Sequence, residues 1–281
     1  MKIVLAVDGS KYGDWATEWV LELPWAHPER VTAVHIVDLA ALRAPFMVQP
    51  AMPGCEGFIQ AEAKRLETLA KRVSQVTRRR LAPLRTKAKV LVEKGPVALT
   101  ILKHATGRGT LVVVGHRGLT NLDHFFLGSV STNVSLHATC SVLVIKAPGR
   151  PVSRVLLAID GSKPSERAVQ FLLKQMNPRT NGRIEVQITQ VLPPFAYTQA
   201  AMAAMAFTHR YAQKLEAAGY LVKESIHVGD PADKILKATN DFRADLLIVG
   251  AKGLTGGRRF LIGSVSSKLV RHSHCSILIV R

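Results

Sequence analysis

The chain is 281 residues long, 47% hydrophobic, and carries a formal net charge of +18. That length and apolar content suit two globular domains, each able to bury its own core, and exclude a disordered chain. No apolar run approaches the roughly 18–20 residues of a membrane span, and three cysteines without metal-ligand spacing exclude a disulfide framework.

KIVLAV (2–7) is an apolar run too short for a helix and ends on Asp8-Gly9-Ser10, so it predicts a first strand. The chain enters this strand directly, without a signal-peptide cleavage region, which gives the expectation of a cytoplasmic protein. A helix over about 11–22 and a strand VTAVHIV (31–37) follow. His35 lies in that apolar strand and reads as a satisfied core histidine. A stretch at 39–57 then precedes FIQAEAKRLETLAKRVSQVTRRRL (58–81), with apolar residues at Ile59, Ala63, Leu66, Ala70, Val73 and Val76. That spacing predicts a long amphipathic helix. Ten Lys/Arg fall in 64–89 against one acidic residue, Glu67, and those within the helix form its solvated face. Such a field attracts polyanions, but the face lacks aromatics to stack on bases.

A strand at 87–93 and a helix at 96–106, opened by Gly95-Pro96, lead to the buried-strand run LVVV (111–114). Next comes GHRGLTNLDHFFLGS (115–129), with glycines at Gly115, Gly118 and Gly128 before Ser129. A strand ending in glycine, a glycine-punctuated loop and a helix start together offer bare backbone N–H groups, the recipe for holding phosphate. The half closes with a helix from 128 and a strand VLVI (142–145), preceded by Cys140, a small buried spacer.

After the linker-like APGRPVS (147–153), the order repeats. VLAVDGS (4–10) returns as LLAIDGS (156–162), and the loop returns as GAKGLTGGRRFLIGS (250–264), with Gly250, Gly253, Gly263 and Ser264 in the matching places. ATCSVLVIK (138–146) returns as SHCSILIVR (273–281), placing Cys275 opposite Cys140. Strands are expected near 154–159, 184–192, 222–228, 245–249 and 277–280. Alternating strands and helices imply right-handed crossovers and a parallel sheet covered on both faces. The prediction is two tandem doubly wound α/β domains, 1–148 and 152–281, each with a five-stranded parallel sheet. Ligands in such folds bind beyond the carboxyl ends of the strands, where Asp8, Gly115, Asp160 and Gly250 fall.

The ordered set resembles the universal stress protein family in its tandem form: VDGS-like first strands, Gly95-Pro96 and Gly229-Asp230-Pro231 helix starts, and a G-x2-G-x9-G-S loop in both halves. The resemblance covers nearly the whole chain. It implies a Rossmann-like sheet, a cytoplasmic location, dimerisation and binding of ATP, with ADP or AMP as alternative ligands. By position, Asp8 and Asp160 resemble the aspartate that bonds the ribose, although an Asp before Gly-Ser also suits an ordinary turn. Gly115, Gly118 and Gly128 match the phosphate glycines, as do Gly250, Gly253 and Gly263. Ser129 and Ser264 match the hydroxyl that caps the last helix and touches phosphate. Val130 with Ser131, and Val265 with Ser266, follow as backbone and hydroxyl contacts. Ile36 and Val191 resemble the position whose backbone reads adenine.

The halves also differ. The second strand of half two ends TQVLPPF rather than HIVD (35–38), and the stretch 39–57, expected to lie over the base, has no counterpart there. His116, Arg117 and His124 sit in the first loop, with Lys252, Arg258 and Arg259 in the second, as cations able to neutralise phosphate. Met202 and Met205 read as helix core or interface. No Walker loop is present, so there is no P-loop lysine for phosphoryl transfer. At most slow ATP hydrolysis, with Mg²⁺ bridging phosphates, suits these residues; no catalytic side chain and no protein metal ligand is assigned. The leading reading is an ATP-binding stress or signalling module. Competing with it are an ATP-pyrophosphatase-like adenylylating enzyme, whose SGGxDS loop is only partly matched by VDGS and IDGS, and a nucleic-acid-binding protein using helix 58–81. Apolar last strands at the sheet edges predict that the two domains pair through them, giving a pseudo-dimer within the chain, with a homodimer of whole chains as a further expectation.

Overall fold

The structure, a computed structural model, describes residues 1–26, 30–40, 55–84, 87–107, 109–118, 127–179, 183–195, 198–253 and 262–281. The first half runs β1 (Lys2–Ala6), α1 (Lys11–Glu22), β2 (Arg30–Val37), α2 (Cys55–Leu81), β3 (Lys87–Lys94), α3 (Val97–His104), β4 (Thr110–Gly115), α4 (Ser129–His137) and β5 (Ser141–Ile145). The second runs β6 (Arg154–Ile159), α5 (Lys163–Gln175), β7 (Glu185–Leu192), α6 (Thr198–Ala217), β8 (Leu221–Val228), α7 (Pro231–Asp241), β9 (Leu246–Gly250), α8 (Ser264–His272) and β10 (Ser276–Val280). Among the described residues no helix is long and apolar enough to cross a membrane.

The strands form one ten-stranded sheet in the order β3-β2-β1-β4-β5-β10-β9-β6-β7-β8. Within each half every pairing is parallel, and the seam is the antiparallel pair β5–β10, with Leu278 opposite Leu143. The expected edge pairing is therefore the centre of the molecule. β5 and β10 are buried along their whole length, which is why a lone half would present an apolar edge.

Local sequence explains the helices. Ser10 caps α1 by accepting from the Gly13 N–H at 3.1 Å, and the buried stripe Gly13, Ala16, Thr17, Trp19 and Val20 keeps helical spacing. Ser162 caps α5, where Pro164 occupies the first turn. Asp230 caps α7 by accepting from the Asp233 N–H, just after Gly229 at φ 136°, a backbone conformation suited to glycine.

Two apolar layers lie on the two faces of the sheet, and both run through the seam. One joins Trp19, Val20 and Leu81 to Leu172, Tyr211 and Leu215; the other joins Ile101 and Val134 to Ile235 and Leu269. The linker is fastened as well. The Trp19 indole N–H donates to the Ala147 and Pro148 carbonyls, and the buried Asp245 carboxylate accepts from the Ser153 and Arg154 amides and pairs with Arg150. The cysteines behave as packing residues: Cys140 and Cys275 are buried, and burial pushes both thiols up, keeping them protonated.

Several expectations need correction. Val76 is exposed on α2, while Ser74 and Thr77 turn inward; two successive three-residue steps, from Ala70 to Val73 to Val76, fall short of 3.6 residues per turn and carry Val76 off the face. Met202 and Met205 are exposed, not core. The helix expected from residue 58 begins three residues earlier, at Cys55. Residues 41–54, the bulk of the stretch expected to cover the base, lie outside the described residues, as do His124, Arg258 and Arg259.

Candidate functional site

In the first half, the crossovers from β1 and β4 leave in opposite directions, since β1 neighbours β2 on one side and β4 on the other. A crevice opens at the carboxyl ends of such a pair. Asp8 stands at the end of β1. Its Oδ1 accepts from the Ser10 amide at 2.9 Å and the Ser10 hydroxyl at 2.6 Å, holding the turn. Its Oδ2 lies on the other side, where a β-carbon on Gly118 would come within 2.8 Å. One oxygen thus makes the local turn that the Asp-Gly-Ser sequence suggests, and the other faces the crevice.

The glycines divide the work. A β-carbon at Gly115 would meet Tyr12 Cβ at 2.7 Å and its backbone at 2.9 Å, so this glycine lets α1 pack close against β4. Gly118 brings bare backbone against the Asp8 carboxylate. Its φ lies outside the positive region, so the requirement is for space and not for left-handed backbone. Gly128 donates its amide to the His116 carbonyl at 3.0 Å and is itself the N-cap of α4.

That cap corrects the expected role of Ser129, which is the first helical residue. Because glycine has no side chain, nothing caps α4 through a side-chain hydrogen bond. The first-turn amides of a helix have no intrahelical partner, and Ser129, Val130 and Ser131 all line the crevice. The buried Ser131 hydroxyl donates to the His116 and Gly128 carbonyls, each at 2.9 Å, so it braces the loop. An anion placed here would meet backbone amides and the positive end of the helix.

These parts enclose a cavity of about 630 Å³, in the range of small-molecule sites. All eight first-half candidates, Asp8, Ile36, Gly115, Gly118, Gly128, Ser129, Val130 and Ser131, line it. Ala6, Val34, Ile36, Ile101 and Leu127 make an apolar floor, and His35, buried with Nδ1 2.9 Å from the Val7 carbonyl oxygen, borders it. Sequence reasoning missed Asp38, Leu66 and Leu69 as lining residues. The signal was helix length. At 27 residues, α2 spans about 40 Å, whereas the eight-residue β2 spans about 26 Å. The N-terminal turns of α2 must overhang the sheet, and Leu66 and Leu69 wall the cavity from there.

Arg117 lines the cavity and brings a cation to it. His116 does not. Burial first, then the Lys146 and Arg117 charges, lower its pKa to about 4, so the imidazole is neutral near pH 7 and brings no charge to an anion.

The second half reproduces the glycine-loop end of this arrangement. Asp160 Oδ1 accepts from the Ser162 amide at 3.0 Å, and a β-carbon on Gly253 would approach Asp160 Oδ2 to 2.7 Å. Gly250 packs on Pro164 and Ser165 as Gly115 packs on Tyr12. Gly263 donates to the Ala251 carbonyl and caps α8 without a side-chain bond, so Ser264 is again the first helical residue and Val265 follows it. The buried Ser266 hydroxyl donates to the Gly250 carbonyl at 2.8 Å. Val191 is the penultimate residue of β7, as Ile36 is of β2. The opposite end differs. With β3 and β8 superposed in sequence, Leu66 and Leu69 correspond to Ala200 and Ala203, and with β2 and β7 superposed Asp38 corresponds to Pro193. Among the described residues, no group of three His, Cys, Asp or Glu side chains could hold a metal.

Comparison with known proteins agrees with the doubled architecture. The model of the universal stress protein family matches residues 1–146 and again 151–281. A universal stress protein of Mycolicibacterium smegmatis is 26% identical over 292 residues, across 99% of this chain and 96% of that protein. Universal stress protein Rv2005c of Mycobacterium tuberculosis is 25% identical over the same shares. In fold, the chain is similar to the crystal structure of a universal stress protein from Archaeoglobus fulgidus, with a TM-score of 0.70, 21% identity, and coverage of 100% of this chain and 96% of that one.

Proposed function

The chain belongs to the universal stress protein family, and on that premise we propose that it is an adenine-nucleotide-binding module of stress or signalling function, with one site in each half. The observation that carries this reading is the convergence, in one crevice, of the Asp8 Oδ2 face, the bare backbone at Gly118 and the uncapped start of α4. A carboxylate accepts from ribose hydroxyls without needing a cation. Backbone amides at a helix start take phosphate. Between them, the apolar floor and the Leu66 and Leu69 wall give a flat base somewhere to bury.

ATP is the proposed ligand, with ADP and AMP using the same ribose and base contacts. Magnesium would enter on the phosphate oxygens, since the described lining residues bring no carboxylate cluster for it. The residues' part is to bind and orient. Asp8 fixes the sugar, the Gly118–Gly128 backbone and α4 fix the phosphates, and Arg117 balances their charge.

The test is calorimetric titration of the full chain with ATP, beside identification of any nucleotide released when the purified protein is denatured. Two saturable sites per chain are expected. Replacing Asp8 by Asn should weaken the first site about 10- to 100-fold, the effect of a lost hydrogen bond to a charged group. A folded chain with no saturable adenine-nucleotide binding sinks the proposal.

A further inference from the structure

The terminal cation of each half reaches into the other half. Lys146 follows β5, and its Nζ donates to the carbonyl of Ser273, the C-cap of α8, at 2.6 Å. Arg281 follows β10, and its guanidinium donates to the carbonyls of Ser135, in the last turn of α4, and Cys140. Their backbones are crossed as well, Lys146 N to Ser276 Oγ at 3.1 Å and Arg281 N to Ser141 Oγ at 3.3 Å. Each half therefore holds the carbonyl end of the opposite half's phosphate-site helix, where a cation favours the helix dipole.

The same strand ends also hold the glycine loops. His116 donates its amide to the Ile145 carbonyl at 2.7 Å, one residue before Lys146. Ala251 donates to the Val280 carbonyl at 2.8 Å, one residue before Arg281. The result is two crossed connections. One runs from loop one through residues 145 and 146 to the end of α8, and the other from loop two through 280 and 281 to the end of α4. Both α4 and α8 have nine residues, about 13 Å, so the end held by the other half lies two and a half turns from the end offered to phosphate.

From this geometry we infer that Lys146 and Arg281 are positioning residues that couple the two nucleotide sites, each transmitting occupancy of its own loop to the helix of the other half. The inference rests on the nucleotide reading of both loops. Electrostatics supports it. Burial first holds the Lys146 pKa down to about 8, Cys275 pushes in the opposite sense, and the Arg117 charge lowers it further. A phosphate landing on the Arg117 loop offsets that repulsion and strengthens the hold of Lys146 on Ser273. A firmer α8 presents its first-turn amides to the second nucleotide with less ordering left to do, which is positive cooperativity. By linkage, the second nucleotide returns the same factor to the first.

The experiment is titration of the full chain with ATP. Asp160→Ala, which silences the second site, gives the first site alone, and Asp8→Ala gives the second alone. In the native chain each site is expected to bind at least about fivefold tighter when the other is filled, the lower end of measured couplings. Lys146→Met and Arg281→Met should bring that factor below about twofold, and Lys146→Arg should restore it. A merely structural role would lower the melting temperature and leave the factor intact. A second measurement needs no change at Lys146 or Arg281. Hydrogen exchange at residues 269–275 of the Asp160→Ala chain should slow several-fold when ATP fills the first site. Independent sites in the native chain, an unchanged factor in both Met variants, or unaltered exchange at 269–275 would each overturn the coupling. A native chain with no saturable site at all overturns the nucleotide reading itself, and the coupling with it.

Discussion

The two halves agree at the glycine-loop end of their candidate sites and part company at the opposite end. Asp8 with Gly118 and the bare start of α4 are matched by Asp160 with Gly253 and the bare start of α8. Across the crevice, the first half brings Asp38, Leu66 and Leu69, where the second has Pro193, Ala200 and Ala203. The difference has a physical origin. On the proposed reading, phosphate would be held by backbone amides, whose placement depends on glycines and tight turns that tolerate no added atom. The base would be held by side chains on helices whose length can vary; α2 has 27 residues and α6 has 20. The helix faces diverge in the same way, since α2 turns lysines and arginines outward where α6 exposes Met202 and Met205. A duplicated fold can therefore keep one chemistry and vary its selectivity.

The most drastic way to break the comparison is to separate the halves. Deleting residues 277–281 removes β10 from the middle of the sheet, with Ile277 and Ile279 fully buried on one face. β5 and β9 then lose their shared partner strand. Light scattering with gel filtration should show aggregates or new oligomers, and a soluble, unchanged monomer would count against the seam.

Next in size is loss of one phosphate end. Gly118→Val drives a side chain into the Asp8 carboxylate and should weaken the first site by about 100-fold or more, equal to roughly 3 kcal/mol. Gly253→Val should do the same to the second site only. If either variant leaves both affinities as in the native chain, the glycine loop of that half is not a phosphate site.

Acid should distinguish the halves, because His116 has Ala251 as its counterpart. The folded pKa of His116, about 4, lies below the unfolded value near 6.5. The unfolded chain thus binds the proton more readily, and stability is lost as pH falls from 6.5 to 4. The expected loss is about 1–3 kcal/mol after allowing for partial solvent contact. Denaturant titrations at pH 7 and pH 4 should show it, and His116→Gln should flatten that part of the profile. An equal slope in the variant would refute the assignment.

The smallest effect sharpens the contrast most. Leu66→Ala with Leu69→Ala makes the first half's wall resemble the second's. Removing this apolar surface should weaken the first site by about tenfold, roughly 1–2 kcal/mol, with the second unchanged. A first site already no tighter than the second in the native chain would show that the leucines do not contact the base.

Much of this was legible in the order of residues. Alternating apolar strands and amphipathic helices, the Asp-Gly-Ser turns and the doubled glycine loop depend on neighbours within about fifteen positions, so periodicity and turn chemistry reveal them. Reading Ser129 as the cap failed because an N-cap is defined by where helical backbone begins, one residue earlier at Gly128. Gly115, read as a phosphate glycine, owes its identity to Tyr12, more than a hundred residues away in the chain.

By itself, then, the sequence determined the doubled α/β fold, the paired last strands and the places of the two glycine loops, since each is set by local pattern repeated in both halves. Tertiary structure alone decided that α2 overhangs the first crevice, that the Asp8 carboxylate turns one oxygen to Ser10 and the other to Gly118, and that Lys146 and Arg281 cross the seam. Those facts follow from distances between segments remote in the chain. Such distances arise only when strands pair, helices dock and the two apolar layers close as one.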